Sequence, residues 1–181
     1  MPKLADFERY INHLCETLGH QDRHAGFTDY SRGLMLPIER KSVEPLAAYT
    51  DPLHVSAKHQ SLHHLVAKSE WSDTAVLACV RDWVMPRLGL KSRFFWIVDD
   101  TGFPKKGTHS VGVARQYCGQ LGKQDNCQVA VSLSLATEQG SVPIDWRLYL
   151  PEKWAKDRRG RKKAGVPVEV KFLTKPEIAL E

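Results

Sequence analysis

Phe94-Phe95-Trp96-Ile97-Val98-Asp99-Asp100-Thr101-Gly102 is the stretch that decides how this chain folds. Its first five residues form a continuous run of aromatic and β-branched side chains, with Arg93 before it and Asp99-Asp100-Thr101-Gly102 after it. Such a run is the pattern of a strand covered on both faces. Carboxylates at the end of a buried strand need a reason, because an unpaired buried charge is expensive. A divalent cation is one: Mg²⁺ takes one or two carboxylates and completes its octahedron with water and phosphate oxygens. Two such ions about 4 Å apart can activate water and stabilise the leaving oxygen in phosphodiester cleavage. Plain turn chemistry is the other, and Asp-Thr-Gly suits a turn well. On the residues alone both stand.

Downstream, Val129, Val131, Leu133 and Leu135 alternate with Ala130, Ser132 and Ser134, which predicts a second strand within residues 128–136. A third is expected over residues 144–150, stopped by Pro151. The short connection at 137–141 predicts an antiparallel hairpin between them. Beyond Pro151 the chain turns basic, with Lys153, Lys156, Arg158, Arg159, Arg161, Lys162 and Lys163 beside Gly160 and Gly165. That stretch either lines a nucleic-acid channel or is a solvated loop. Thr174-Lys175-Pro176-Glu177 then reads as a helix start, with Thr174 as cap and proline in the first turn.

Upstream the periodicity is helical. Leu4, Phe7, Ile11, Leu14, Cys15 and Leu18 recur at three- and four-residue steps, and Gly19 is placed to stop that helix. Phe27, Tyr30 and Leu34 predict a second helix ending before Pro37. Ser42 is the expected cap of a third through Val43, Leu46 and Ala47, broken by Asp51-Pro52. Leu62, Leu65 and Val66 share a face of a fourth. Ser72 caps a fifth, in which Val76, Leu77, Val80, Trp83 and Val84 face the core and Pro86 closes it. The expected organisation is a helical region over residues 1–90 and a second, strand-bearing region over 91–181.

With 181 residues the chain can hold one good-sized domain, or a small one plus part of another. A hydrophobic share of 42% and a charged share of 26% are ordinary for a globular protein. No run of about 18 apolar residues occurs, so no membrane-spanning helix is expected. Residues 1–10 lack the apolar core of a secretory signal, and four scattered cysteines do not make a disulfide framework. A reducing cytoplasm is the expected location. The net charge of +5 favours polyanionic partners.

Asp99-Asp100-Thr101-Gly102-Phe103-Pro104-Lys105-Lys106-Gly107, followed by Ser110-Val111-Gly112-Val113-Ala114-Arg115-Gln116-Tyr117, resembles the first-aspartate block of bacterial insertion-sequence DDE transposases. Upstream, Glu39-Arg40-Lys41-Ser42-Val43-Glu44-Pro45 and His59-Gln60-Ser61-Leu62-His63-His64 resemble that group's helical N-terminal region. Trp146-Arg147-Leu148-Tyr149-Leu150-Pro151 and Thr174-Lys175-Pro176-Glu177 resemble the segment after its third strand. The resemblance implies an α+β chain: a helical, DNA-contacting region, then the first three strands of a ribonuclease-H-like fold. It implies Mg²⁺- or Mn²⁺-dependent strand cleavage and transfer at transposon ends, with terminal-repeat DNA as partner and no membrane. Relatives place the first catalytic aspartate directly before a threonine, which favours Asp100 as catalytic metal ligand, with Asp99 the second choice. Alternation along a strand sends the two to opposite faces, so they cannot share one site.

The family's second aspartate lies on a fourth strand and its glutamate on a later helix. Asp125, Glu138, Asp145 and Glu152 do not occupy those places. The expectation is therefore a truncated or split product, inactive alone and completed by a downstream polypeptide or a full-length transposase. The alternative is a DNA-binding remnant that occupies transposon ends or regulates the full-length enzyme. Without the later strands, the Phe94–Val98 strand would present an open apolar edge. Lys105, Lys106, Arg115, Gln116, Lys153, Arg158, Arg159, Arg161, Lys162 and Lys163 are the candidate DNA contacts. His59 and His63 have a zinc-chelating i,i+4 spacing, but no accompanying glutamate or cysteine, so a polar helix face is the preferred reading. Cys118 and Cys127 read as separate buried thiols.

Overall fold

Apolar spacing sets the helices that come first. The computed structural model describes residues 2–88 and 93–181. The expected boundary at 90/91 lies outside the described residues. Contacts divide the chain into two compact units, Met1–Arg87 and Leu88–Glu181.

In the first unit, α1 (Pro2–Cys15) continues through a 3-10 turn to Leu18 and stops at Gly19, whose φ is 77°. Its Ile11, Leu14, Cys15 and Leu18 are buried against Phe27 of α2 (Asp22–Leu34), Leu65 of α4 (Val55–Ala67) and Cys79 of α5 (Asp73–Val84). Leu46 and Ala47 of α3 (Val43–Thr50) close a second cluster with Leu62. Each such leucine, fully buried, contributes about 1.5–3 kcal/mol. Ser72 caps α5 as expected, accepting the Ala75 N–H at 3.1 Å. Ser42 has extended cap backbone, but its hydroxyl makes no cap bond and is buried without a partner. Val66, expected on the apolar face of α4, is exposed, because Leu62 and Leu65 alone reach the core.

The second unit is built on one antiparallel sheet: β1 (Phe94–Pro104), β2 (Ala114–Cys118), β3 (Lys123–Thr137) and β4 (Gly140–Leu148). The long β3 is its spine. β1 runs along it from Phe94↔Thr137 to Pro104↔Cys127. β4 pairs from Thr137↔Gly140 to Ala130↔Leu148, with a register shift at Leu133/Ser134, and β2 pairs with the start of β3. Helices before, an antiparallel sheet after: the chain is α+β, consistent with the first part of a ribonuclease-H-like fold. After the sheet come α6 (Glu152–Lys156), α7 (Arg158–Lys163) and α8 (Lys175–Leu180).

One expectation is corrected. The Phe94–Val98 run is not covered on both faces; its side chains are 45–62% exposed. Among the described residues β1 pairs only with β3, so one edge and much of both faces meet no other strand or helix.

Beyond the aspartates, β1 is held by a close approach at Gly102. A Cβ there would lie 2.9 Å from Cys118 Sγ and 3.1 Å from Cys118 Cα. Backbone cannot yield as a flexible side-chain tip does. Gly102→Ala is expected to cost about 1–3 kcal/mol through overpacking, read as a lower urea midpoint. An unchanged midpoint would show that the contact is loose.

Candidate metal-binding and nucleic-acid site

Strand alternation and register decide what surrounds each aspartate. Asp100 lies opposite Val131 of β3, and Val131 lies opposite Arg147 of β4, so these three share one row and one face. Asp99 is in the next row, opposite Ser132, which is itself opposite Trp146, on the other face. Asp99 Oδ1 accepts the backbone N–H of Asp100 at 2.8 Å. Asp100 instead receives the ammonium of Lys175, at 2.5 Å. Both partners are partly exposed, with side chains 44% and 34% accessible.

Lys175 opens α8, which lies over the Asp100 face. Ile178 is buried there, and Val98, Val131, Asp145, Arg147, Ile178 and Glu181 line a small cleft of about 110 Å³. Glu181 pairs with Arg147. The fold of α8 is locally fixed: Thr174 accepts the Glu177 N–H, and Glu177 accepts the Thr174 N–H at 2.7 Å.

Asp100 is an exposed carboxylate, the type of oxygen donor that hard divalent cations take, and here it is paired with Lys175. Among the described residues no three His, Cys, Asp or Glu side chains come together to hold a metal. Among the described residues Asp100 therefore belongs to no such group. His59 and His63 stack at 6.1 Å between ring centroids. Cys118 and Cys127 are closer than their sequence separation implied: they share one buried cluster with Val129. Burial pushes the Cys127 thiol up, with the neighbouring Cys118 adding to it, which suits packing better than ligation.

The candidate DNA contacts fall into two groups. Lys105 and Lys106 are exposed on the loop that leaves β1, and that loop is pinned. Asn126 Nδ2 donates to the carbonyls of Lys105 and Gly107 at 2.6 and 2.8 Å, and Gln128 Nε2 to that of Val111 at 2.5 Å. Trp154 Nε1 donates to Val113 O at 2.8 Å. A fixed loop presents its cations with little ordering left to lose on binding. Arg115 and Tyr117 are exposed on β2, whereas Gln116 between them turns inward and donates to Cys127 O at 3.0 Å. The expected cluster of three is thus split across the two faces of a strand.

The basic stretch is helical rather than a loop. Asp157 caps α7, accepting the Gly160 N–H at 2.9 Å. Lys153, Arg158, Arg159, Lys162 and Lys163 are exposed. Arg161 has a different employment: its guanidinium donates to the carbonyls of Ala155, Pro167 and Val170 at 3.2, 2.8 and 2.6 Å, tying down the segment after α7. A larger groove, about 450 Å³, lies wholly within the helical unit, lined by residues that include Arg23, His64 and Lys68. Among the described residues no helix is long and apolar enough to cross a membrane.

The DDE superfamily endonucleases match residues 13–181, and the chain belongs to that family, which acts with divalent metal ions. More narrowly, it is similar to a probable transposase for insertion sequence element IS701 from Microchaete diplosiphon, at 38% identity over 121 residues. That match covers 66% of this chain and 28% of the relative, so the chain aligns with little more than a quarter of the relative's length. No solved structure matches the chain.

The resemblance drawn from the sequence therefore holds at the level of an insertion-sequence DDE transposase. Sequence reading missed Lys175 as the partner of Asp100, because the two are 75 residues apart and the only local signal was a helix start. It also missed Asn126, Gln128 and Trp154, polar side chains whose spacing carries no motif.

Proposed function

We propose that this chain supplies the first metal-binding aspartate, Asp100, to a transposase that cuts and joins DNA at transposon ends, and that alone it does not cleave. What carries the proposal is the placement of Asp100: a partly exposed carboxylate on a strand whose far edge bears no partner among the described residues. The donors needed to complete a metal site come from other residues of the same enzyme, joined to this chain or supplied by a second polypeptide. Mg²⁺ or Mn²⁺ is the cofactor and terminal-repeat DNA the partner. Lys105, Lys106, Arg115 and the exposed cations of α6 and α7 hold the phosphate backbone, and Gln116 and Arg161 shape the surface that presents them.

A second function, occupation of transposon ends without cleavage, is favoured by one observation. The cations of α6 and α7 are exposed and held by a capped helix and the Arg161 bonds, none of which needs metal. The two functions separate in one experiment. Labelled terminal-repeat DNA is incubated with Mg²⁺ or Mn²⁺ and this chain, alone and mixed with a polypeptide covering the rest of the relative's length. Cleavage only in the mixture is the expected result. Salt-sensitive DNA retention without cleavage in either case would leave the binding function alone.

A further inference from the structure

We infer that β1 is a self-complementary edge, along which two copies of this chain join antiparallel with Trp96 of each on the two-fold axis. Nothing in this depends on what Asp100 binds.

Along Phe94–Val98 the side chains are 45–62% exposed. Among the described residues β1 pairs only with β3, so the N–H and C=O groups of its other edge meet no strand. Such an edge is a template for a further strand. The sequence of β1 selects that strand. In an antiparallel pair, directly opposite residues turn their backbone groups the same way, both toward the partner or both away. A strand that pairs with its own copy therefore has a residue on the axis, never a peptide bond.

With Trp96 on the axis, Phe94 faces Val98 of the second copy and Phe95 faces its Ile97. Each is an aromatic side chain against a β-branched one, a combination that stabilises cross-strand pairs. Arg93 then faces Asp99 of the second copy, and the symmetry repeats that ion pair at the other end. Moving the axis to Phe95 sets Arg93 against Ile97. Moving it to Ile97 sets Phe95 against Asp99 and Phe94 against Asp100. Either shift leaves a charge against apolar surface. Parallel pairing in register puts Arg93 on Arg93 and Asp99 on Asp99, and like charges directly opposite are destabilising. Neither charge is committed elsewhere. Arg93 is exposed and, among the described residues, enters no ion pair. The Asp99 carboxylate accepts the adjacent Asp100 N–H and is otherwise open. On one face of β1, Phe94 and Trp96 already pack edge to face with ring centroids 6.1 Å apart, and Val98 of the second copy extends that cluster. A two-fold pairing uses up both edges, so it closes as a dimer and does not grow into a fibre.

The test is sedimentation of the full chain between ~1 and 200 μM, the range in which a small interface dissociates. The wild-type chain is expected to pass from monomer to dimer and no further. Arg93→Asp puts like charges opposite each other at both ends of the strand pair and is expected to raise the dissociation constant about tenfold. Asp99→Arg is expected to do the same. The two substitutions together restore opposite charges and should return the wild-type value. Register is also read without any substitution, from nuclear Overhauser contacts in an equal mixture of isotope-labelled and unlabelled wild-type chain. Phe94 ring protons of one copy are expected against Val98 methyls of the other. A monomer throughout the range, or growth past the dimer, would overturn the self-pairing. A dimer that shows no Phe94–Val98 contact, and whose double variant is as weak as the single ones, would overturn it by placing the interface elsewhere.

Discussion

Asp100→Asn, tested in the complemented mixture, is expected to lower single-turnover cleavage of terminal-repeat DNA by about a thousandfold or more. The substitution keeps size and shape and removes the negative charge that a metal ligand needs. A lost metal contact takes with it several kcal/mol of transition-state charge stabilisation, and ~1.4 kcal/mol is tenfold in rate. Asp99→Asn is expected to stay within about threefold, because its carboxylate faces the other side of β1 and is engaged with the next backbone N–H. A thousandfold loss in Asp99→Asn with an active Asp100→Asn would transfer the ligand role to Asp99. Equal large losses would mean that the strand, rather than one carboxylate, was damaged, and the urea midpoints of the two variants would show it.

The second large effect concerns DNA affinity. Replacing Arg158, Arg159, Lys162 and Lys163 together by Ala removes four exposed cations from one short helix. Each phosphate contact contributes about 0.9 to the slope of log affinity against log salt, so the slope should shrink by ~3 to 4. At ~0.1 M salt this amounts to roughly a thousandfold weaker binding. Arg161→Ala is the informative control. Its guanidinium is bound to backbone carbonyls, so the slope should change little while the segment after α7 becomes more sensitive to trypsin. An unchanged slope in the fourfold variant would remove α7 from the interface.

Much of the architecture was legible where periodicity is strong. α1, the Ser72 cap of α5, the β3–β4 hairpin and the Thr174 cap follow from apolar spacing and cap chemistry that act within a few residues. β2 was not legible, because Arg115-Gln116-Tyr117 shows no apolar alternation; its pairing is fixed by β3. The helices α6 and α7 were hidden by their composition, since two short helices carrying seven basic residues between them read like a loop until Asp157 is seen capping the second. The opposite orientation of Asp99 and Asp100 was available from strand geometry alone. What lies next to Asp100 was not. The Lys175 contact depends on where a helix lands after the sheet is built, which no local pattern encodes.

The order of pairing in the sheet has a consequence for synthesis. β3 and β4 are joined through a two-residue turn, since Thr137 pairs with Gly140, and such a hairpin closes in ~1–10 μs. β1 has no such neighbour: Phe94 must wait for Thr137, far along the chain. At about 5–20 residues per second, translation holds the Phe94–Val98 run unpaired on the nascent chain for several seconds. That interval exceeds the closing time of its future partner hairpin by many orders of magnitude. The strand that carries Asp99 and Asp100 is thus made first and waits for its partner, and its yield depends on whatever shields five apolar side chains in the meantime.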